Sequence, residues 1–445
     1  MPIRGLLAAG IALVIAGGLV WWSNKKGTEP EADVSPKLLE LSESEMRRIE
    51  LRRAEGETTV LERQEGGQWR ITAPASYAAD SGAAQALAGA LARLNAEKVV
   101  EERVADFGEF GLKEPALVVL ITMKDGTLHT IMAGDDVPAG GGHYVRKAGD
   151  ERLYTIAGFT KTSIDKASGE LRDKRLLPFE AGALARLELR TKAGAVEFGR
   201  NAAGNWQIVK PEPLRADGWQ VEELIRRVRE AQLDPGLDEA GQRKKEADFG
   251  RAAPLATVSL TAGSAEQTLE VRRTADNRYL ARSSAVAGVH LLTNDTGEGF
   301  NKSAADFRTR KLFDFGFAEP VRVEFKWSEG ARALVRDGSD WKENGKAMDT
   351  VGVQSLIDRL RDLMAEGFPA GGFGSVELEA AISAGEGEKA ATERIQISRA
   401  GDKYLARREG EPALYELKAE AVEELRRAAR DVKEAPAPAA AKGKK

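Results

Sequence analysis

The sequence predicts an α+β protein: three tandem degenerate repeats of mostly antiparallel sheet with packed helices, after one N-terminal transmembrane helix. Three observations predict it. Tryptophans recur at Trp69, Trp206 and Trp341, each after a Gly- or Asp-rich turn, at spacings of 137 and 135 residues. An aspartate follows each of them (Asp80, Asp217, Asp349) and stands seven residues before a leucine of an amphipathic stripe. Segments of period-two alternation flank both features, as expected for sheets with one buried face.

The helices come from the stripes. Ala84, Leu87, Ala88 and Leu91 recur as Val221, Leu224, Ile225 and Val228, then as Val353, Leu356, Ile357 and Leu360. Each has the i, i+3, i+4, i+7 spacing of a helix packed on one face. The aspartate then falls at the helix N-terminus, where its carboxylate accepts backbone N–H groups and meets the positive dipole end. The strands come from alternation: Ile49 and Leu51, then Leu187 and Leu189, then Val321, Val323 and Phe325. Tyr144-Val145-Arg146, Tyr279 to Arg282 and Tyr404 to Arg407 align further along, after strand-like runs at Val118–Ile121 and Val258–Leu260. Phe110-Gly111-Leu112-x-x-Pro115 matches Phe249-Gly250-x-x-x-Pro254, and Leu171 to Phe179 matches Phe307 to Phe315. The expected organisation is an anchor over residues 1–22, a linker over 23–45 and repeats over 46–181, 182–316 and 317–433. The third repeat is shorter and divergent, and a disordered tail follows over 434–445.

The anchor is the uncharged run of 18 residues from Gly5 to Trp22. It spans roughly 27 Å as a helix, enough for a hydrocarbon core. Trp21 and Trp22 sit where an interfacial aromatic belt lies, and no small-x-small cleavage site closes the run. Arg4 on one side against Lys25, Lys26 and Lys37 on the other mildly favours a cytoplasmic body.

Composition excludes several function classes. The 66 basic and 70 acidic residues are interspersed and give a net charge of −4, which offers no basic face for nucleic acid. The absence of cysteine removes disulfides, thiolate metal sites and cysteine nucleophiles. The three histidines, His129, His143 and His290, have no metal-ligand spacing and no nucleophile elbow beside them. Gly140-Gly141-Gly142 lies between strand-like segments and reads as a hairpin. Gly134-Asp135-Asp136 is the best carboxylate pair, but adjacent strand residues face opposite ways, so it reads as a turn. Arg226-Arg227-x-Arg229 and Arg243-Lys244-Lys245 are surrounded by acids and read as solvated faces. The repeated tryptophans read as core anchors. No catalytic, cofactor-binding or metal-binding residue is assigned, and no cofactor is expected.

These landmarks resemble a bacterial family known as domain of unknown function 4340. The matching segments are Trp69-Arg70-Ile71-Thr72-Ala73-Pro74, Asp80, Gly111-Leu112-Lys113-Glu114-Pro115, Tyr144-Val145-Arg146 and Leu171 to Phe179. The resemblance covers roughly residues 46–432, loosest in the third repeat. It implies a protein anchored near its N-terminus in the bacterial inner membrane with a periplasmic body, against the mild charge count. It also implies association with gliding-motility-type ABC transporter components. The expected function is therefore a non-enzymatic envelope scaffold with protein partners, an accessory subunit of an export or gliding-motility-like complex. The alternative is a periplasmic ligand- or glycan-binding receptor with a cleft between repeats.

Overall fold

The computed structural model describes residues 35–138, 140–234, 239–385 and 391–436. The expected anchor lies outside these residues. Among the described residues no helix is long and apolar enough to cross a membrane. The described chain is α+β, with three antiparallel sheets of repeated design. It divides into two compact units, the first ending at Lys174 and the second beginning at Arg175.

In the first unit the sheet has nine strands. From edge to edge they are Tyr77–Ala78, Trp69–Ala73, Thr59–Arg63, Met46–Arg53, Leu117–Met123, Leu128–Asp136, Gly142–Lys147, Leu153–Ala157 and Lys98–Glu101. Two four-stranded meanders thus join through their first strands. The second unit holds two eight-stranded sheets of the same order, joined at Leu184–Thr191 with Ala253–Ala262 and at Pro320–Trp327 with Val376–Ala384. The register repeats to the residue: each opening strand is bulged, between Met46 and Arg48, Leu184 and Arg186, and Pro320 and Arg322.

A helix crosses from one meander to the other in each copy: Ser81–Ala92, Gly218–Glu230 and Thr350–Arg361. The aspartates cap them as expected. Asp80 Oδ1 accepts from the Ala83 amide at 2.8 Å, Asp217 Oδ1 from Trp219 at 3.0 Å, and Asp349 Oδ2 from Gly352 at 3.0 Å. All twelve stripe residues are buried. Each contributes up to roughly 1.5–3 kcal/mol by leaving water, the alanines least. Trp69, Trp206 and Trp341 are buried beneath these helices at 9, 6 and 5% exposure, as core anchors should be.

The structural unit is shifted along the chain from the expected repeat. Lys37 bridges Asn95, Arg175 bridges Gln232 and Lys311 bridges Met364, each just beyond the crossing helix of its copy. Directly behind them, Leu38-Leu39, Leu176-Leu177 and Leu312-Phe313 are buried. Residues 35–45, placed in a linker by sequence, therefore belong to the first core. The segment 175–181 opens the second copy instead of closing the first, and 311–316 opens the third. The reason is burial: Leu176 and Leu177 are fully enclosed in the core of the second unit.

Each copy closes by adding one bridge to the short strand after the tryptophan strand. Ala79 bridges Arg172, Ala216 bridges Arg308 and Met348 bridges Glu434. In the third copy the Ala435 amide donates to Ala347 O at 2.8 Å, so Glu434 and Ala435 extend the sheet and are not part of a disordered tail.

Candidate functional site

Within the second unit the second and third copies share one hydrophobic core. A charged cluster lies beside it. Arg215 ends the strand Leu214–Arg215 of the second copy, and its guanidinium enters the third. Nη1 donates to Asp314 Oδ2 at 2.6 Å, Nε to Glu411 Oε1 at 2.5 Å and Nη2 to Lys311 O at 2.7 Å. Arg408 approaches the same Glu411 at 3.1 Å and pairs with Glu393 at 2.5 Å. Glu393 also accepts from the Asp314 amide at 2.7 Å. Burial disfavours the Arg215 charge, but Asp314 and Glu411 outweigh it and raise its pKa.

Arg308 completes the cluster by stacking 3.7 Å above the Phe368 ring. Its burial lowers its pKa, while the Tyr415 hydroxyl, whose own pKa burial raises, acts against that. A groove of about 670 Å³ runs beside Arg215, lined by Arg200, Trp206, Glu222, Asp314 and Glu411. Trp206 is fixed there by its indole N–H, which donates to Glu222 at 2.6 Å, and by Arg200 stacked 4.1 Å from its ring centroid. Chemically, the cluster neutralises buried charge and fastens two sheets together.

The residues weighed in the sequence do not converge. His129 lies in mid-ladder opposite Ile121. His143 faces Asp136 across the next strand pair, with Nδ1 2.8 Å from Oδ1. His290 is buried in the second sheet; its Nε2–H donates to Ala287 O at 3.0 Å, and Nδ1 stands 3.3 Å from Asp234. Gly134-Asp135-Asp136 ends the strand Leu128–Asp136 at a bulge, so the turn reading is corrected. At the bulge Gly134 packs on the Gly111 turn: a Cβ on Gly134 would stand 2.2 Å from Phe110 O. Gly140 and Gly141, both at positive φ, connect strands Leu128–Asp136 and Gly142–Lys147, as the hairpin reading requires.

Arg226 pairs with Glu223 at 2.8 Å on the helix surface, whereas Arg227, only 15% exposed, pairs with Glu223 at 2.9 Å and also with Asp295 of a later helix, so the solvated-face reading does not hold for it. Lys245 departs from the solvated-face reading. Its side chain is only 12% exposed and pairs with Asp234, the carboxylate that also meets His290. Phe249 and Gly250 align in sequence with Phe110 and Gly111 but lie in a helix, Glu239–Arg251, that the first copy lacks. Phe249 sits there between the guanidinium groups of Arg272 and Arg282, 4.5 and 4.4 Å away. Sequence reasoning missed Arg215, Glu411 and Arg408, because nothing local marks Arg215 and Glu411, which are 196 positions apart, and Arg408 belongs to the cluster only through Glu411 and Glu393. Among the described residues no group of three or more acidic or histidine side chains could hold a metal ion.

The fold and this cluster define a class: a protein of tandem antiparallel α+β repeats, each crossed by one capped helix. The particular family follows from its sequence match. Two adjacent stretches, residues 69–205 and 206–382, match the model of the Domain of unknown function (DUF4340) family, and the chain belongs to that family. Both matches begin at a repeat tryptophan. A search of curated proteins gives no match.

Proposed function

We propose that this protein is a non-enzymatic, membrane-tethered scaffold of the bacterial cell envelope. In this reading residues Gly5–Trp22 cross the inner membrane once and the repeats stand in the periplasm. There they hold protein partners as an accessory subunit of an ABC-type export or gliding-motility-like complex. The observation that carries the reading is the fastening of the second and third sheets through one core and the Arg215 cluster. Such a joint makes a stiff, extended surface from units that could otherwise turn independently. The exposed apolar side chains support it too: Trp219 is 70% and Phe317 99% exposed in the second unit. Aromatic anchors of this kind dominate protein–protein interfaces.

The test is crosslinking in living cells followed by purification from detergent-solubilised membranes. The scaffold reading expects a defined set of envelope proteins recovered with the chain. Recovery of the chain alone across several detergents and crosslinkers contradicts it. The receptor reading is favoured by one feature, the groove beside Trp206 at the junction of two copies. It expects a soluble saccharide or peptide to protect that groove from hydrogen exchange.

A further inference from the structure

A second cleft, of about 720 Å³, lies within the second copy at the end of strand Leu184–Thr191. Its lining includes Lys192, Arg251, Arg273 and Lys302, and only one carboxylate, Asp306. That carboxylate is already engaged: its Oδ2 accepts from both the amide and the hydroxyl of Ser303, each at 2.7 Å. The cations are not neutralised in this way. Arg273 bonds to the amide oxygen of Asn277 at 2.7 and 3.1 Å, and Lys302 to that of Gln220 at 2.7 Å. Both acceptors are uncharged. Glu298 acts on Arg273 and Asp306 on Lys302 from beyond contact distance, but the first carboxylate is bonded to Tyr279 and Asn301 and the second to Ser303. Among the described residues no carboxylate is in ion-pair contact with any of the four. The remaining lining is neutral and able to hydrogen-bond, with Thr191, Thr274 and Asn277.

The first copy shows what this end of the sheet looks like when it is closed. Leu51 faces Val119 in the first ladder, and Leu189 faces Val258 in the second, so Arg53 and Thr191 occupy equivalent places. In the first copy Arg53 is neutralised by Asp165, Nε to Oδ1 at 2.6 Å, with Lys161 at 3.3 Å from the same carboxylate. Asp165 stands six residues before Leu171, whose carbonyl accepts from the Asp80 cap. Six residues before Phe307, which accepts from the Asp217 cap in the same way, stands Asn301. Ala133 pairs with Val145 and, past the bulge, Asp136 with His143; Val271 pairs with Ala281 and Arg273 with Tyr279, so Asp136 and Arg273 occupy equivalent places. The second copy has therefore replaced an Arg–Asp pair by Thr191 and Asn301. It has also exchanged an aspartate for Arg273. The first change is neutral in net charge, removing one guanidinium and the carboxylate that paired it; the second takes a carboxylate away and adds a guanidinium, and Asp306 is the one acid left lining the cleft.

From this we infer that the cleft of the second copy is an anion-binding site, taking a small ligand that carries two or more phosphate or carboxylate groups. The four cations come from four different elements: the turn after Thr191, the end of helix Glu239–Arg251, the end of strand Ala265–Arg273 and the segment after Phe300. A ligand with several anionic groups spans them where a single ion meets only one or two. Charge-assisted hydrogen bonds from Arg and Lys are roughly twice as strong as neutral ones, and Arg takes oxyanions in bidentate fashion. The cleft volume is in the range of small-molecule sites, about 300–1,000 Å³. The inference goes beyond the scaffold reading and does not depend on it.

Calorimetric titration of the full chain in detergent at low ionic strength tests it, with pyrophosphate and citrate as the probes. Saturable binding of at least one probe is expected, weakened about tenfold or more by Arg273→Asp. Asn301→Asp should weaken it likewise. Both positions are exposed, and both variants install the residue the first copy carries. Should Arg273→Asp fail to fold, Asn301→Asp alone decides. Arg399→Asp, an exposed charge reversal on the third sheet outside the cleft, should leave affinity unchanged. Failure of both probes to bind at millimolar concentration overturns the inference. So does binding that survives both cleft variants, or equal weakening by Arg399→Asp.

Discussion

Arg215 of the second copy and Glu411 of the third meet at 2.5 Å, guanidinium Nε donating to carboxylate Oε1, with side chains only 18 and 11% exposed. Removing one member of a buried pair leaves the other charge desolvated, at a cost of about 3–5 kcal/mol. Arg408 remains beside Glu411, so the lower end applies. Arg215→Ala is expected to destabilise the second unit by about 3 kcal/mol, read from its urea midpoint. A double-mutant cycle with Glu411→Ala should show strong coupling. Additive effects would mean that the pair does not fasten the two sheets.

The caps should behave alike. Asp217→Ala and Asp349→Ala each remove a carboxylate that accepts helix N–H groups, and each should cost about 1 kcal/mol. The Asn variants should cost only a few tenths of that. Denaturation of the alanine and asparagine series separates capping from charge alone.

Gly111 and Gly134 pack backbone to backbone. A Cβ on Gly111, where φ is +66°, would stand 2.3 Å from Asp135 Oδ1, and one on Gly134 would stand 2.2 Å from Phe110 O. Gly111→Ala and Gly134→Ala should each destabilise the first unit by about 2–4 kcal/mol through overpacking and strain. Gly169→Ala, in open space on a short helix, should be neutral or slightly stabilising. Thermal melting of the three variants checks the contrast.

Acid should weaken the second sheet within a defined window. The Arg186 guanidinium, with Lys210 beside it, holds the Glu197 carboxyl down to about 2 from the ordinary 4.5. A depressed carboxyl pKa contributes stability that is complete above the unfolded value and is lost as pH falls through the folded one. Stability should therefore decline from about pH 4.5 towards about pH 2. Glu197→Gln should be less stable at neutral pH and flatter across that window, as urea midpoints at several pH values would show.

Much of the fold was legible because its signals are local. The Asp80, Asp217 and Asp349 caps sit within three residues of the groups they bond, and each stripe is one helix face. The copy boundaries were not legible in the same way. Leu38 is buried, its amide donating to Leu94 O at 2.9 Å just past the crossing helix, and no neighbour in sequence signals that. Only a longer-range repeat marks it: Lys37-Leu38-Leu39 stands to the first copy as Arg175-Leu176-Leu177 stands to the second. In sequence Glu246 beside Lys245 suggests a solvated face, whereas the lysine's partner, Asp234, lies eleven residues back. The anion cleft was hidden for a further reason. It is defined by the absence of acids at Asn301 and Arg273, which only the position after the crossing-helix cap and the ladder register bring into comparison with Asp165 and Asp136.

The revised boundary makes its own prediction. Leu38→Ala and Leu176→Ala each truncate a side chain at most 2% exposed and should each cost about 2–5 kcal/mol. Val351→Ala, at 76% exposure, should stay within about 0.5 kcal/mol of the parent. Equal, small effects at all three positions would place residues 35–45 back in a linker.

The proposed role depends most directly on where the repeats stand. A C-terminal alkaline phosphatase fusion, active only outside the cytoplasm, measures this in intact cells. The envelope-scaffold account predicts an active fusion that fractionates with the inner membrane and loses its membrane association when Gly5–Trp22 is deleted. A stably expressed but inactive phosphatase fusion, with a matching fluorescent fusion that matures in the cytoplasm, would contradict it.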